Sequence, residues 1–135
     1  MLMNSIERDT HSPILFEKAL RGFNQDLTKF SESKDPGVVS KKEVDALLFE
    51  TGTEAILVTK DDKGVHIQYM RDTETTPTER VGVSISEKGV TYNAVLNNRG
   101  MSLLDQIEEF KKFIEELEQT HEIESKVLSL IKELI

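Results

Sequence analysis

The chain reads as an α+β domain: an antiparallel sheet of about four strands made from two repeated β-hairpins, helices on one face, and an acidic amphipathic helical arm or helical hairpin at the C-terminal end. Three observations predict this. The stretch Glu54-Ala-Ile-Leu-Val-Thr-Lys-Asp-Asp-Lys-Gly-Val-His-Ile-Gln68 recurs 25 positions later as Glu79-Arg-Val-Gly-Val-Ser-Ile-Ser-Glu-Lys-Gly-Val-Thr-Tyr-Asn93. Apolar residues alternate along both copies, which is the period of a strand with one buried face. On either side of the repeat, apolar residues instead recur at steps of three and four, the period of an amphipathic helix.

Residues 1–11 show no periodicity and are expected to form a loose arm. Two helices are expected over 12–52. Ser12-Pro13 suits a helix start, with a hydroxyl to cap a free amide and a proline where the missing donor costs nothing. Phe16, Leu20, Phe23, Leu27 and Phe30 then fall on one stripe. Gly22 within that helix costs about 1 kcal/mol against alanine and marks close approach to another backbone. The polar run with Pro36-Gly37 predicts a loop, and Ser40-Lys-Lys-Glu43 matches a capping box. The second helix follows from it, with Val44, Leu47 and Leu48 as its apolar face and Gly52 as its C-terminal cap.

Residues 54–96 hold the duplicated hairpins. Each turn contains Lys-Gly, and Gly64 and Gly89 are both expected at positive φ, where a short loop closes a twisted hairpin. Parity separates the two faces. Ile56, Val58, Val65, Ile67, Tyr69, Val81, Val83, Ile85, Val90, Tyr92, Ala94 and Leu96 form the covered one, and Thr59, His66, Gln68, Arg80, Gly82, Ser84, Thr91 and Asn93 form a wet one. Ala55, Leu57, Met70 and Val95 break the polar pattern, either as scattered exposure or as a modest apolar patch for a partner. The threonine-rich segment 72–79 is a polar connection between hairpins.

Residues 102–135 are the C-terminal helical segment, begun by Ser102 with Asp105. Leu103, Ile107, Phe110, Ile114 and Leu117 keep strict four-three spacing; the apolar set then restarts out of phase at Ile123, Val127, Leu130 and Leu134. Either Thr120 caps a second helix that folds back, or one bent arm runs through, and the absence of Gly and Pro favours the bent arm. Helices over 12–52 already suffice to cover one sheet face. The seam of Leu103, Ile107, Phe110, Ile114, Leu117, Val127 and Leu130 is therefore expected to be a homodimer interface.

Composition narrows the function. There is no cysteine, which excludes disulfides, thiolate catalysis and zinc ribbons. The longest apolar runs, Ala46–Phe49 and Ala55–Val58, fall far short of the roughly 20 residues that span a bilayer. The N-terminal residues lack the basic and apolar regions of an export signal, so a cytoplasmic location is expected, without membrane association. The net charge of −8 repels nucleic acid. Residues 101–135 hold 9 acids against 4 bases. Glu108, Glu115, Glu116, Glu118 and Glu122 are the candidate partner-binding residues, which would attract a basic protein. Their plainer role is the solvated face of an amphipathic helix.

No phosphate-binding glycine loop is present, and His11, His66 and His121 belong to no metal-binding helix motif. No catalytic residue, cofactor or metal is expected. The order of helix, two hairpins and acidic helix resembles that of prefoldin-type chaperone subunits, whose hairpins assemble into a barrel and whose paired helices hold unfolded clients. The first helix is too short for such an arm and 40–51 has no counterpart, so the likeness is one of element order. The expected function is a non-enzymatic protein-protein interaction module, such as a small acidic inhibitor, immunity or adaptor protein. A self-assembling chaperone-like or structural subunit is the alternative, and a small-ligand-binding protein or enzyme with an unrecognised site is the third.

Overall fold

A computed structural model describes residues 2–8, 12–31, 38–41, 46–51, 54–71, 79–96 and 102–135. The elements run β1 (Leu2–Arg8), α1 (Ser12–Ser31), β2 (Val38–Lys41), β3 (Ala46–Thr51), β4 (Glu54–Lys60), β5 (Val65–Arg71), β6 (Glu79–Ser86), β7 (Gly89–Leu96), α2 (Leu103–Gln119) and α3 (Lys126–Leu134). The α+β class holds. The sheet has seven strands in the order β1-β7-β6-β5-β4-β3-β2, and every pairing is antiparallel.

The two predicted hairpins form its centre with one shared register. Lys60 opposes Val65 in the first and Ile85 opposes Val90 in the second, each position again offset by 25. The turns are locked alike: the Asp61 carboxylate accepts the Lys63 and Gly64 amides, and the Ser86 hydroxyl accepts the Lys88 amide. The glycines differ, contrary to expectation. Gly89 has φ of 144°, a conformation side-chain-bearing residues rarely adopt, but Gly64 does not share it. At Gly64 a Cβ would lie 2.2 Å from the Ile85 carbonyl oxygen. The first copy therefore needs glycine for space beside β6, which only the assembled sheet provides.

Two expectations fail at the sheet edges. Leu2–Arg8 is a strand along β7 and not a loose arm. The pairing is made by backbone groups that β7 would otherwise leave open at an edge, and it needs no strong side-chain period. The segment expected to be a helix from Ser40 to Thr51 instead holds the end of β2 and all of β3. Leu47 and Phe49 are buried while Leu48 between them is only half-buried, a period of two. Phe49 sets its ring edge-on against Phe30 of α1 at 5.7 Å, and β4 supplies backbone partners to the whole of β3. A capping box is worth about 1 kcal/mol, less than a strand's worth of pairing and burial. The loops read at 32–37 and 72–78, together with Glu43, Val44 and Gly52, lie outside the described residues.

Helix α1 begins after the β1 edge of the sheet and leads to β2 at the other edge. Its 20 residues span about 30 Å, close to the roughly 29 Å of six inter-strand spacings. It packs against β2, β3, β5, β6 and β7 on the way. Ala19, Phe23, Leu27 and Phe30 are buried on its inner face, whereas Phe16 and Leu20 are only half-buried at the margin. Gly22 marks the predicted close approach: a Cβ there would meet Lys126 Cβ of α3 at 3.2 Å.

The C-terminal segment is two helices and not one bent arm. Thr120 ends α2, Glu122 takes φ of 54°, and the Ile123 amide donates back to the Leu117 carbonyl at 3.1 Å. The start of α3 is fixed from far away in sequence. Asp26 of α1, itself buried, accepts the Ser125 hydroxyl at 2.7 Å and the amides of Lys126 and Val127 at 3.0 Å each. Ser125 in turn caps the Leu128 amide. With α3 held against α1, the apolar seam has cover within the chain. Phe110, Ile114, Leu117 and Val127 are buried, and Ile107 and Leu130 are partly buried against the same core. Leu103 opens α2. The premise that this seam lacks an intrachain partner does not hold.

Candidate docking face

All three helices lie on the apolar side of the sheet, where Leu47, Phe49, Ile56, Val58, Ile67, Val83 and their row-mates are buried. The reverse face has no helix among the described residues. Its register rows are set by the strand pairing. One runs Leu48, Leu57, Gln68, Gly82, Asn93 across β3 to β7, and the next runs Ala46, Thr59, His66, Ser84, Thr91. A third joins Glu50, Ala55, Met70, Arg80 and Val95. Leu48, Leu57, Ala55 and Met70 form one half-exposed apolar patch over β3, β4 and β5. Beside them stand amides, hydroxyls and an imidazole. By register Glu7, Lys41, Glu50 and Arg80 belong to these rows, and the Asp61 carboxylate reaches the face through His66.

Within the polar row, His66 Nδ1 lies 2.9 Å from Ser84 Oγ and His66 Nε2 lies 3.0 Å from Asp61 Oδ1. Hydrogen bonding from His66 and then from the Lys63 amide holds the Asp61 carboxyl below its usual range. Carboxylate, imidazole and hydroxyl in sequence are the parts of an acyl-transfer site. An oxyanion needs free donors beside the nucleophile. Ser84 is paired on both sides, with His66 of β5 and Thr91 of β7, so its strand neighbourhood spends its amides on the ladder. The array ties the first turn to the sheet face and offers hydrogen bonds to whatever lies on it.

The helical side carries more charge. Tyr69 donates to Glu54 at 2.6 Å, stacks on Phe110 with centroids 5.4 Å apart, and has its phenol pushed well above the ordinary range, first by burial and then by the Glu54 carboxylate. Arg71 meets Glu109 at 3.3 Å. A cleft of about 480 Å³ lies where α1 meets α3, lined among others by Lys29, Asp26, Glu118 and Glu124. Its polar groups already serve the fold: Asp26 caps α3, Lys29 donates to the Glu124 carbonyl, and Glu118 pairs with Lys132 at 2.7 Å.

The candidate acidic residues lie along this helical layer. Glu108, Glu116 and Glu122 are exposed, and Glu115 and Glu118 are half-exposed. They are not gathered into a metal-holding group among the described residues. Leu48 was the missing member of the apolar patch, hidden because its segment reads locally as a helix. No helix among the described residues is long and apolar enough to cross a membrane.

No family model matches the chain, and no curated protein or solved structure matches it either.

Proposed function

We propose that the protein is a non-enzymatic protein-interaction module that docks its partner on the uncovered sheet face. The observation that carries this reading is the half-exposed apolar patch of Leu48, Ala55, Leu57 and Met70 on a sheet face that no helix covers among the described residues. Apolar side chains gathered on an uncovered face and rimmed by polar ones have the composition of an interface core. The exposed carboxylates Glu108, Glu116 and Glu122 sit on the helical layer. They add a long-range attraction for basic surfaces that is screened by salt.

The test is co-purification from the native host of the wild type, Leu57→Glu and Glu116→Lys, each checked for unchanged circular dichroism. Leu57→Glu should abolish stoichiometric association, because it buries a carboxylate in the contact. Glu116→Lys should leave association intact and change only its salt dependence. Association that survives Leu57→Glu in a folded protein overturns the proposal.

A further inference from the structure

The geometry points to Ser84 as a covalent acceptor of small acyl groups from activated donors, with His66 as its base, and this does not depend on the uncovered face being a docking surface. The first ground is the direction of two hydrogen bonds. Asp61 Oδ1 accepts the Lys63 amide at 2.8 Å and the Gly64 amide at 3.0 Å, which fixes the carboxylate against the turn. Its carboxyl is held below the usual range, so at neutral pH it accepts and does not donate. The proton in the 3.0 Å bond to His66 therefore belongs to Nε2. A neutral imidazole carries one ring proton, which leaves Nδ1 bare. The 2.9 Å bond to Ser84 is then made by the hydroxyl donating to that nitrogen. A hydroxyl aimed at a base whose far side is held by a carboxylate is an activated nucleophile.

The second ground is access. Ser84 and His66 are half-buried on the face that no helix covers among the described residues. Gly82, two residues before Ser84 on the same side of β6, leaves bare backbone beside the hydroxyl, and a Cβ there would meet nothing nearer than 3.6 Å. That is room for a small acyl group. The repeat supplies its own comparison. At the offset of 25, Ser84 corresponds to Thr59, His66 to Thr91 and Asp61 to Ser86, so the reciprocal positions hold hydroxyls and no base. Asp61 is the charge bonded to the imidazole, with Asp62 and Lys63 exposed beside it in the turn. Lys41 and Glu7 end the row three strands away on either side, about 14 Å off.

In the reaction, Ser84 Oγ adds to the acyl carbonyl carbon as its proton passes to His66 Nδ1. The carbonyl re-forms, the leaving group departs with its electron pair, an ester remains on Oγ, and the imidazolium returns its proton to solvent. The strand amides around Ser84 are spent on the ladder, so the oxyanion gains no backbone donor from them. The donor class follows: its leaving group must be a weak base, as in an aryl ester or an acyl phosphate. The product is an ordinary alkyl ester and is not turned over.

The experiment treats the full chain with p-nitrophenyl acetate and locates the acetyl groups by peptide mass spectrometry. Ser84 should be acetylated, and His66→Gln should slow that acetylation about 100-fold. The wild-type rate at Ser84 should rise with pH as the imidazole loses its proton and then level off. Asp61→Asn, which removes the positioning carboxylate, should move that rise to lower pH, because the imidazolium loses its anionic partner. Acetylation of Ser84 at the wild-type rate in a folded His66→Gln overturns the inference. So does acetyl on lysines or on His66 with none on Ser84. The wild-type profile decides the matter even if His66→Gln does not fold, since a rate at Ser84 that climbs with hydroxide and never levels also overturns it.

Discussion

On the face of the sheet that carries Phe49, Val58, Ile67, Val83 and Tyr92, side chains disappear beneath α1 and α2; one residue further along each strand, Leu48, Leu57, Gln68, Gly82 and Asn93 stay at least partly open. The two faces share every backbone hydrogen bond. They differ only in which parity of side chain they receive, so their difference isolates what side chains alone contribute. On the covered face that contribution is burial, with aromatic rings from strand and helix in register: Tyr69 against Phe110 and Phe113, and Phe49 against Phe30. The uncovered face joins a small apolar patch of Leu48, Ala55, Leu57 and Met70 to polar rows that hold His66 and Ser84.

The largest effect should come from the covered side. Phe23→Ala, which empties a wholly buried site on α1, should cost about 3–5 kcal/mol in denaturant unfolding. A loss under about 1 kcal/mol would mean that α1 is not packed as described.

Next comes the attachment of the layer that provides the cover. Asp26→Ala removes the acceptor for Ser125 and for two α3 amides, and should cost about 1–3 kcal/mol. Amide exchange should rise first in α3 and leave β5 and β6 protected. Uniform loss of protection would show that α3 does not open independently of the sheet.

Titration should separate the faces by sign. Tyr69, on the covered side, has a folded pKa above its ordinary value near 10. Its contribution is complete below that value and is lost as pH rises through the folded pKa, so stability should decline on the alkaline side. Lys132, raised by its bond to Glu118, acts in the same direction. Tyr69→Phe should flatten the decline. Asp61, at the rim of the uncovered face, is lowered, so its contribution is present above its ordinary value of 3.8 and lost as pH falls through the lower folded value. The carboxylate is exposed, and Asp61→Asn should alter the acid limb only slightly. An alkaline limb unchanged in Tyr69→Phe would refute the burial account.

The smallest effect belongs to the uncovered face. Leu57→Thr keeps a strand-compatible side chain at a half-exposed position and should change the unfolding free energy of the isolated chain by no more than about 0.5 kcal/mol. A cost approaching that of Phe23→Ala would mean that this face too is covered within the monomer.

Much of the site was legible in advance. Parity along the repeat separated Thr59, His66, Gln68, Ser84 and Asn93 from the core set and singled out Ala55, Leu57 and Met70 as exceptions. The common offset of 25 positions appears again in the strand register. Such features are local: a period of two, a turn closed by its own aspartate or serine, and a helical stripe are all written in residues a few positions apart.

What the tertiary structure alone decided is long-range. Leu2–Arg8 is a strand because β7 has an edge to offer, and Ala46–Thr51 is a strand because β4 and Phe30 lie beside it. Gly64 is needed because the Ile85 carbonyl approaches it, and α3 starts at Lys126 because Asp26, 100 residues earlier, presents a carboxylate there. Local periodicity states which side of an element is apolar. It does not state which unpaired edges, crowded backbones and uncapped helix ends will be brought together, since each of those is satisfied by a group whose position depends on the whole fold.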